Sequence, residues 1–131
     1  MSDTPLRLLN KVAIITGAAS GFGEGMARRF AEEGAKVVVA DLNHVRARKV
    51  AEDIGKNAIW TQTDVSHRGE FDEMVKTTLD AFGRIDIMVN NAGYSHKNGR
   101  LLDVDENTFD LITAVNMKAI YHATLAVVPV K

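Results

Sequence analysis

Cysteine is absent from the 131 residues, which excludes disulfides and thiolate chemistry and makes a reducing compartment, the cytoplasm, the expected location. With only two prolines and no tract rich in proline, glycine and serine, nothing marks a linker or a low-complexity segment. Charge of one sign is not in excess either. Sixteen Lys and Arg stand against seventeen Asp and Glu, for a net charge of -1. That balance lacks the cationic surplus on which binding to a phosphate backbone depends, so nucleic acid is not an expected partner. No apolar run reaches membrane-spanning length, and Met1 to Asn10 holds no apolar core of a secretory leader. A soluble protein without a membrane partner is expected. At this length one modest core can be buried, so residues 1–131 are expected to form a single domain.

What the chain does contain is an alternation of two periods. Val12 to Thr16, Lys36 to Ala40, Ala58 to Thr61 and Ile85 to Val89 are short runs rich in β-branched and aliphatic residues. They are too continuously apolar to leave one face wet, which predicts strands of a parallel sheet covered on both sides. Between them, Phe22, Met26 and Phe30 recur at helical spacing, as do Phe71, Met74, Val75, Thr78, Leu79 and Phe82. Both sets predict helices laid against the sheet. Gly34 and Gly83 follow these helices, where a helix commonly ends on a residue that tolerates positive φ. Further on, Asp105 can cap a helix beginning near Glu106 that carries Phe109, Ile112, Val115, Ala119 and Ala123 toward Pro129. A right-handed crossover would require another strand after that helix, so the architecture reads as interrupted. The expected fold is a Rossmann-like three-layer α/β sandwich on a parallel sheet of about four strands in the order 3-2-1-4.

The chemistry is concentrated between the first strand and the first helix, in Thr16-Gly17-Ala18-Ala19-Ser20-Gly21-Phe22-Gly23. Glycines there let the main chain turn sharply and approach a pyrophosphate, whose charge the helix N-terminus stabilises. Glycines also make ordinary turns, and the pattern gains meaning from its context. Asp41 closes the second strand about 20 residues past Gly21, where an acid meets the ribose of a dinucleotide. A carboxylate in that position repels the additional phosphate of NADP, and Ala18 and Ala19 supply no cation to offset it, so NAD is the expected cofactor. His44, Arg46 and Arg48 keep NADP as the lesser alternative, their plainer role being to face solvent on the next helix.

The glycine spacing at Thr16 to Gly23, together with Asn90-Asn91-Ala92-Gly93 after the fourth strand, resembles the short-chain dehydrogenase/reductase family over essentially the whole chain. The resemblance implies reversible hydride transfer between NAD and an alcohol or carbonyl substrate. It places Gly17, Ser20, Gly21, the Phe22 main chain and Gly23 on the pyrophosphate side, and Asp64 and Val65 beside the adenine. It puts Asn91, Ala92 and Gly93 along the ribose and nicotinamide side, with Asn90 tying the central strands together. Asn116 matches the asparagine of the family's catalytic tetrad, although an amide within a helix can also do no more than satisfy a neighbouring carbonyl. In the complete family the helix that follows the fourth strand here commonly joins a subunit interface, so self-association is expected, through that helix or through the exposed edge of the fourth strand.

The proton-transfer residues that the resemblance calls for are not found. Tyr94 is followed four positions on by Asn98 and Tyr121 by Leu125, so neither begins the Tyr-x-x-x-Lys turn, and no catalytic serine can be assigned. Lys97 lies near Tyr94 in the same loop and does not restore that spacing. Relative to a family whose chains run to about twice this length, the sequence reads as an N-terminal half, inactive as it stands. A silent nucleotide-binding or interaction module is the alternative. A methyltransferase half-fold is the third reading, disfavoured by the Asn90 to Gly93 run. His44, His67, His96 and His122 show no ligand spacing and no acid partner, so no metal is expected and surface or loop roles are.

Overall fold

A computed structural model describes residues 6–92, 106–107 and 119–130. Four strands, β1 (Val12–Thr16), β2 (Lys36–Asp41), β3 (Ala58–Gln62) and β4 (Ile87–Val89), form one sheet in the order β3-β2-β1-β4. Every neighbouring pair is parallel, with Ile14 opposite Val38 and Met88, and Val38 opposite Ile59. Helices α1 (Gly21–Glu32), α2 (His44–Ile54) and α3 (Arg68–Phe82) connect the strands, and α4 (Ala119–Val127) leads into a single 3₁₀ turn at Val128–Val130. The sheet order and the helical crossovers agree with the expectation from the sequence.

Alternate residues of each central strand enter opposite cores, as the two-residue period of a strand requires. Ile14, Val38 and Ala40 pack with Phe71, Met74 and Val75 of α3 and with Ala123, Ala126 and Val127 of α4. Ile15, Val37 and Val39 pack with Ala27 of α1 and Ala47, Val50 and Ala51 of α2. All of β1 is buried, so its unbroken apolar run reflects two covered faces. The edge strand β3 departs from that expectation. Ala58, Ile59 and Thr61 are half-buried, Gln62 is exposed, and Trp60 is 38 % exposed.

Helix α1 also differs from its predicted packing. Phe22 is 89 % exposed and does not pack on the sheet. The close contacts belong to the small residues Gly23 and Ala27, with Met26 and Phe30 only half-buried. Gly83 caps α3 in the left-handed region at φ 79°, as its position suggests.

Strand β4 begins two residues later than predicted. Ile85 is buried in the core on the α3 side, and Asp86 acts at the foot of the sheet. Its Oδ2 accepts from the Val12 amide at 2.9 Å, and its Oδ1 takes Arg84 Nη2 at 2.6 Å. The Arg84 guanidinium and the Val12 amide hold the Asp86 carboxyl below the usual carboxylate range. Glu106 and Asn107 are helical, as expected at the start of the last helix, while Phe109, Ile112 and Val115 lie outside the described residues.

Candidate functional site

The glycine-rich loop lies at the carboxyl ends of β1 and β2, where the strand order reverses between β1 and β4. A doubly wound sheet opens a crevice at that point. Gly17 at φ 65° and Gly21 at φ 57° both adopt the left-handed conformation that glycine enters without steric cost. Gly17 is crowded as well, since a Cβ there would stand 2.9 Å from Ala92 Cα. A Cβ on Gly23 would run into the Gly17 carbonyl and the Asn91 amide. Around Gly21 the protein places nothing within 4 Å of a Cβ position. The loop therefore packs tightly against Asn91 and Ala92 and stays open where α1 begins.

Two polar residues join this loop to β4. Thr16 Oγ1 donates to the Val89 carbonyl at 3.3 Å and accepts from the Asn91 and Ala92 amides, each at 3.1 Å. The Asn91 side chain donates to the Gly17 carbonyl at 3.2 Å. Asn90 was expected to tie the strands together, but among the described residues these bonds belong to Thr16 and Asn91.

A second set of bonds ties the loop to the turn after β2. Asp41 Oδ2 accepts from the Ala19 amide at 3.0 Å, and its Oδ1 from the Asn43 amide at 2.9 Å. Asn43 caps α2 by accepting from the Arg46 amide. Arg46 does not simply face solvent. Its Nε donates to the Ala19 carbonyl at 3.1 Å, and its Nη2 lies 3.5 Å from Glu24 Oε1. Arg48 pairs with Glu52 on the outer face of α2.

These elements enclose a cleft of about 380 Å³ lined by Gly17, Ser20, Phe22, Asp41, Leu42, Thr63, Val65, Asn91 and Ala92. Ser20 is the N-cap residue of α1, yet its side chain makes no capping bond, so the first turn presents its main-chain amides without a side-chain acceptor. An anion is stabilised by such a helix end. Glycines that permit close approach, an open helix start and an acid at the end of β2 together fit a dinucleotide. Leu42 was not singled out in the sequence, because a lone leucine carries no motif.

Asp64 does not line this cleft. Its Oδ1 accepts from the Ser66 amide and hydroxyl, and its own amide donates to Glu70 at 2.9 Å. Partial burial raises the Asp64 carboxyl, but the Ser66 bonds and nearby His67 outweigh that and hold it below its usual range. His67, expected to have no acid partner, sits 3.3 Å from Asp64 and 3.1 Å from Glu70, and the bond to Glu70 followed by the charge of Asp64 raises its pKa. Potential ligand atoms of the three residues lie within 4.8 Å of one another. The bonds just described tie them together at the turn that leads into α3. His67 stays exposed, as expected, whereas His122 departs from the expected surface or loop role. It is half-buried on α4, its Nδ1 donating to the Val65 carbonyl at 3.4 Å and its ring standing edge-on to Phe71. Gly93, Tyr94, Lys97 and Asn116 lie outside the described residues.

The family model for short chain dehydrogenases matches residues 11–130. The chain belongs to this family. It is 42 % identical over 121 residues to the (2S)-[(R)-hydroxy(phenyl)methyl]succinyl-CoA dehydrogenase subunit BbsD of Thauera aromatica, an alignment covering 90 % of this chain and 48 % of that protein. It is 39 % identical over 128 residues to short-chain dehydrogenase reductase 3a of Arabidopsis thaliana, covering 94 % and 50 % respectively. Among solved structures, the 3-ketoacyl-(acyl-carrier-protein) reductase of Brucella melitensis complexed with NADH superposes with a TM-score of 0.92 at 46 % identity, over 93 % of this chain and 50 % of that one. This short-chain dehydrogenase chain thus spans about half the length of the relatives it matches. Among its described residues no helix is long and apolar enough to cross a membrane.

Proposed function

We propose that the chain is the NAD(H)-binding portion of an oxidoreductase whose whole form transfers hydride between NAD and an alcohol or carbonyl substrate. The observation that carries this reading is the joint placement of Gly17, Gly21, the open start of α1 and Asp41 around one cleft at the strand-order reversal. The NADH complex of the similar reductase supports it. Bound there, NAD would supply the hydride acceptor, and the protein's part is orientation and electrostatics. Gly17, Ser20, Gly21, Gly23 and the main chain of Phe22 would hold the pyrophosphate at the helix end. The Asp41 carboxylate would accept from the adenosine ribose, since each of its oxygens keeps a lone pair beyond its bond to a main-chain amide. Val65 would wall the adenine, with Asp64 fixing the turn that carries it, and Asn91, Ala92 and Gly93 would follow toward the nicotinamide. Asn116 is proposed for the tetrad position on its sequence match alone. NAD is proposed over NADP, and residues 1–131 are proposed as one domain.

For this chain taken by itself, a silent nucleotide-binding module is the second reading. Tyr121 stands on α4 with 63 % exposure and does not line the cleft. We also propose self-association, through the exposed Ile120, Tyr121, Leu125 and Val128 of the α4 region.

Calorimetric titration of the chain with NADH and NADPH, followed by an alcohol-oxidation screen, tests these readings. Saturable NADH binding is expected. Asp41→Ala should weaken NADH by about tenfold and NADPH less, the loss of a charge-assisted hydrogen bond. Equal losses would overturn the ribose assignment. Binding without turnover supports the silent module for this chain, whereas turnover refutes it.

A further inference from the structure

Two opposite charges flank a single residue of the glycine-rich loop. The Ala19 amide donates to Asp41 and the Ala19 carbonyl accepts from Arg46, at 3.0 and 3.1 Å. Asp41 and its neighbour Leu42 line the cleft, whereas Arg46 does not. The guanidinium is drawn the other way, toward Glu24 Oε1 on α1, while Glu24 Oε2 takes Arg28 Nε at 2.9 Å. Glu24 therefore sits between two arginines and anchors one of them to the loop. Its side chain is 26 % exposed and that of Arg46 57 %, so water weakens the Arg46 contact without removing it.

Resting on the dinucleotide reading above, the geometry points to a role for Glu24 that extends the one given to Asp41. A phosphate on the adenosine ribose would arrive beside the Asp41 carboxylate, one residue's width from a guanidinium. Arginine, with its planar fork of donors, suits such a phosphate well. We propose that Glu24 is a specificity-determining residue: by holding Arg46 against the Ala19 carbonyl, it withholds the cation that would otherwise neutralise a phosphorylated ribose. The preference for an unphosphorylated ribose then has two causes, repulsion by Asp41 and retention of Arg46 by Glu24. Arg46 itself acts as a positioning residue for the loop until Glu24 is removed, and as a phosphate ligand afterwards.

The test is a fluorescence titration of the full chain with NADH and NADPH in a series of variants. Asp41→Ser alone should narrow the preference chiefly by losing NADH affinity. Adding Glu24→Gln should then tighten NADPH by about tenfold with little change in NADH, as one added charge-assisted contact would. Adding Arg46→Ala to that pair should abolish the gain, and Arg46→Lys should keep part of it. Glu24→Ala releases Arg46 by a replacement of different size, so the question does not depend on one variant folding. A merely structural Glu24 would shift both nucleotides together. The proposal is overturned if NADPH binds the double variants no more tightly than Asp41→Ser, or if the gain survives Arg46→Ala. If the unaltered chain binds neither nucleotide, the dinucleotide reading itself falls. NADH binding without the NADPH gain removes only the role of Glu24.

Discussion

Thr16 holds more of the cleft together than its size suggests. It is 1 % exposed, and its hydroxyl serves the carbonyl that ends β4 and two amides of the segment just after it. Thr16→Val keeps the shape but leaves those groups without their partner, which should cost about 1–3 kcal/mol in urea denaturation and weaken NADH, while Thr16→Ser should retain most of both. His67 makes a pH-dependent contribution. Its folded pKa lies above the ordinary 6.5, because protonation strengthens its contacts with Glu70 and Asp64. That stability is fully present below 6.5 and is lost as pH rises through the folded value. The melting temperature should therefore fall on going from about pH 6 to about pH 8, and the fall should be shallower in His67→Gln. An identical slope in the two proteins would remove His67 from the account. The partners of neither residue were legible in the sequence. Thr16 finds its partners 73 to 76 positions away, and His67 acquires its acids only when the turn before α3 closes.

For the helices and strands, sequence and structure agree where one period dominates. The buried run of β1 and the 3–4 spacing of α3 each leave a single way to bury apolar surface, so existence, type and order could be read directly. Agreement weakens where position outweighs hydrophobicity. Phe22 fits the apolar pattern of α1 but stays exposed at its first turn, and β3 has a neighbour on only one side. The same helix offers a matched pair of glycines. Gly25 has nothing within 4 Å of a Cβ position, so Gly25→Ala should raise stability by about 0.5–1 kcal/mol through helix propensity. Gly23→Ala would drive a methyl into the Gly17 carbonyl and the Asn91 amide, and should cost about 1–3 kcal/mol, lowering NADH affinity as well. Thermal melts of the two variants check both signs.

At the scale of the molecule, the two cores are closed differently. The α1 and α2 side is sealed by alanines and valines, whereas α4 and the 3₁₀ turn after it keep Ile120, Leu125 and Val128 exposed while Ala123, Ala126 and Val127 are buried. Sedimentation equilibrium should detect reversible association, weakened by Leu125→Asp; a monomer at every concentration would overturn the proposed self-association. Strand order has one more consequence, which concerns time. β1 pairs with β2 and β2 with β3, each the next strand along the chain, but β4 must return past β3 and β2 to reach β1, the contact with the largest loop to close. Until it does, Gly17 and Thr16 face no Asn91 or Ala92, and the cleft lacks a wall. A chain still being synthesised has its glycine turn early and its binding site late, and a nucleotide entering that site favours the last join of the sheet.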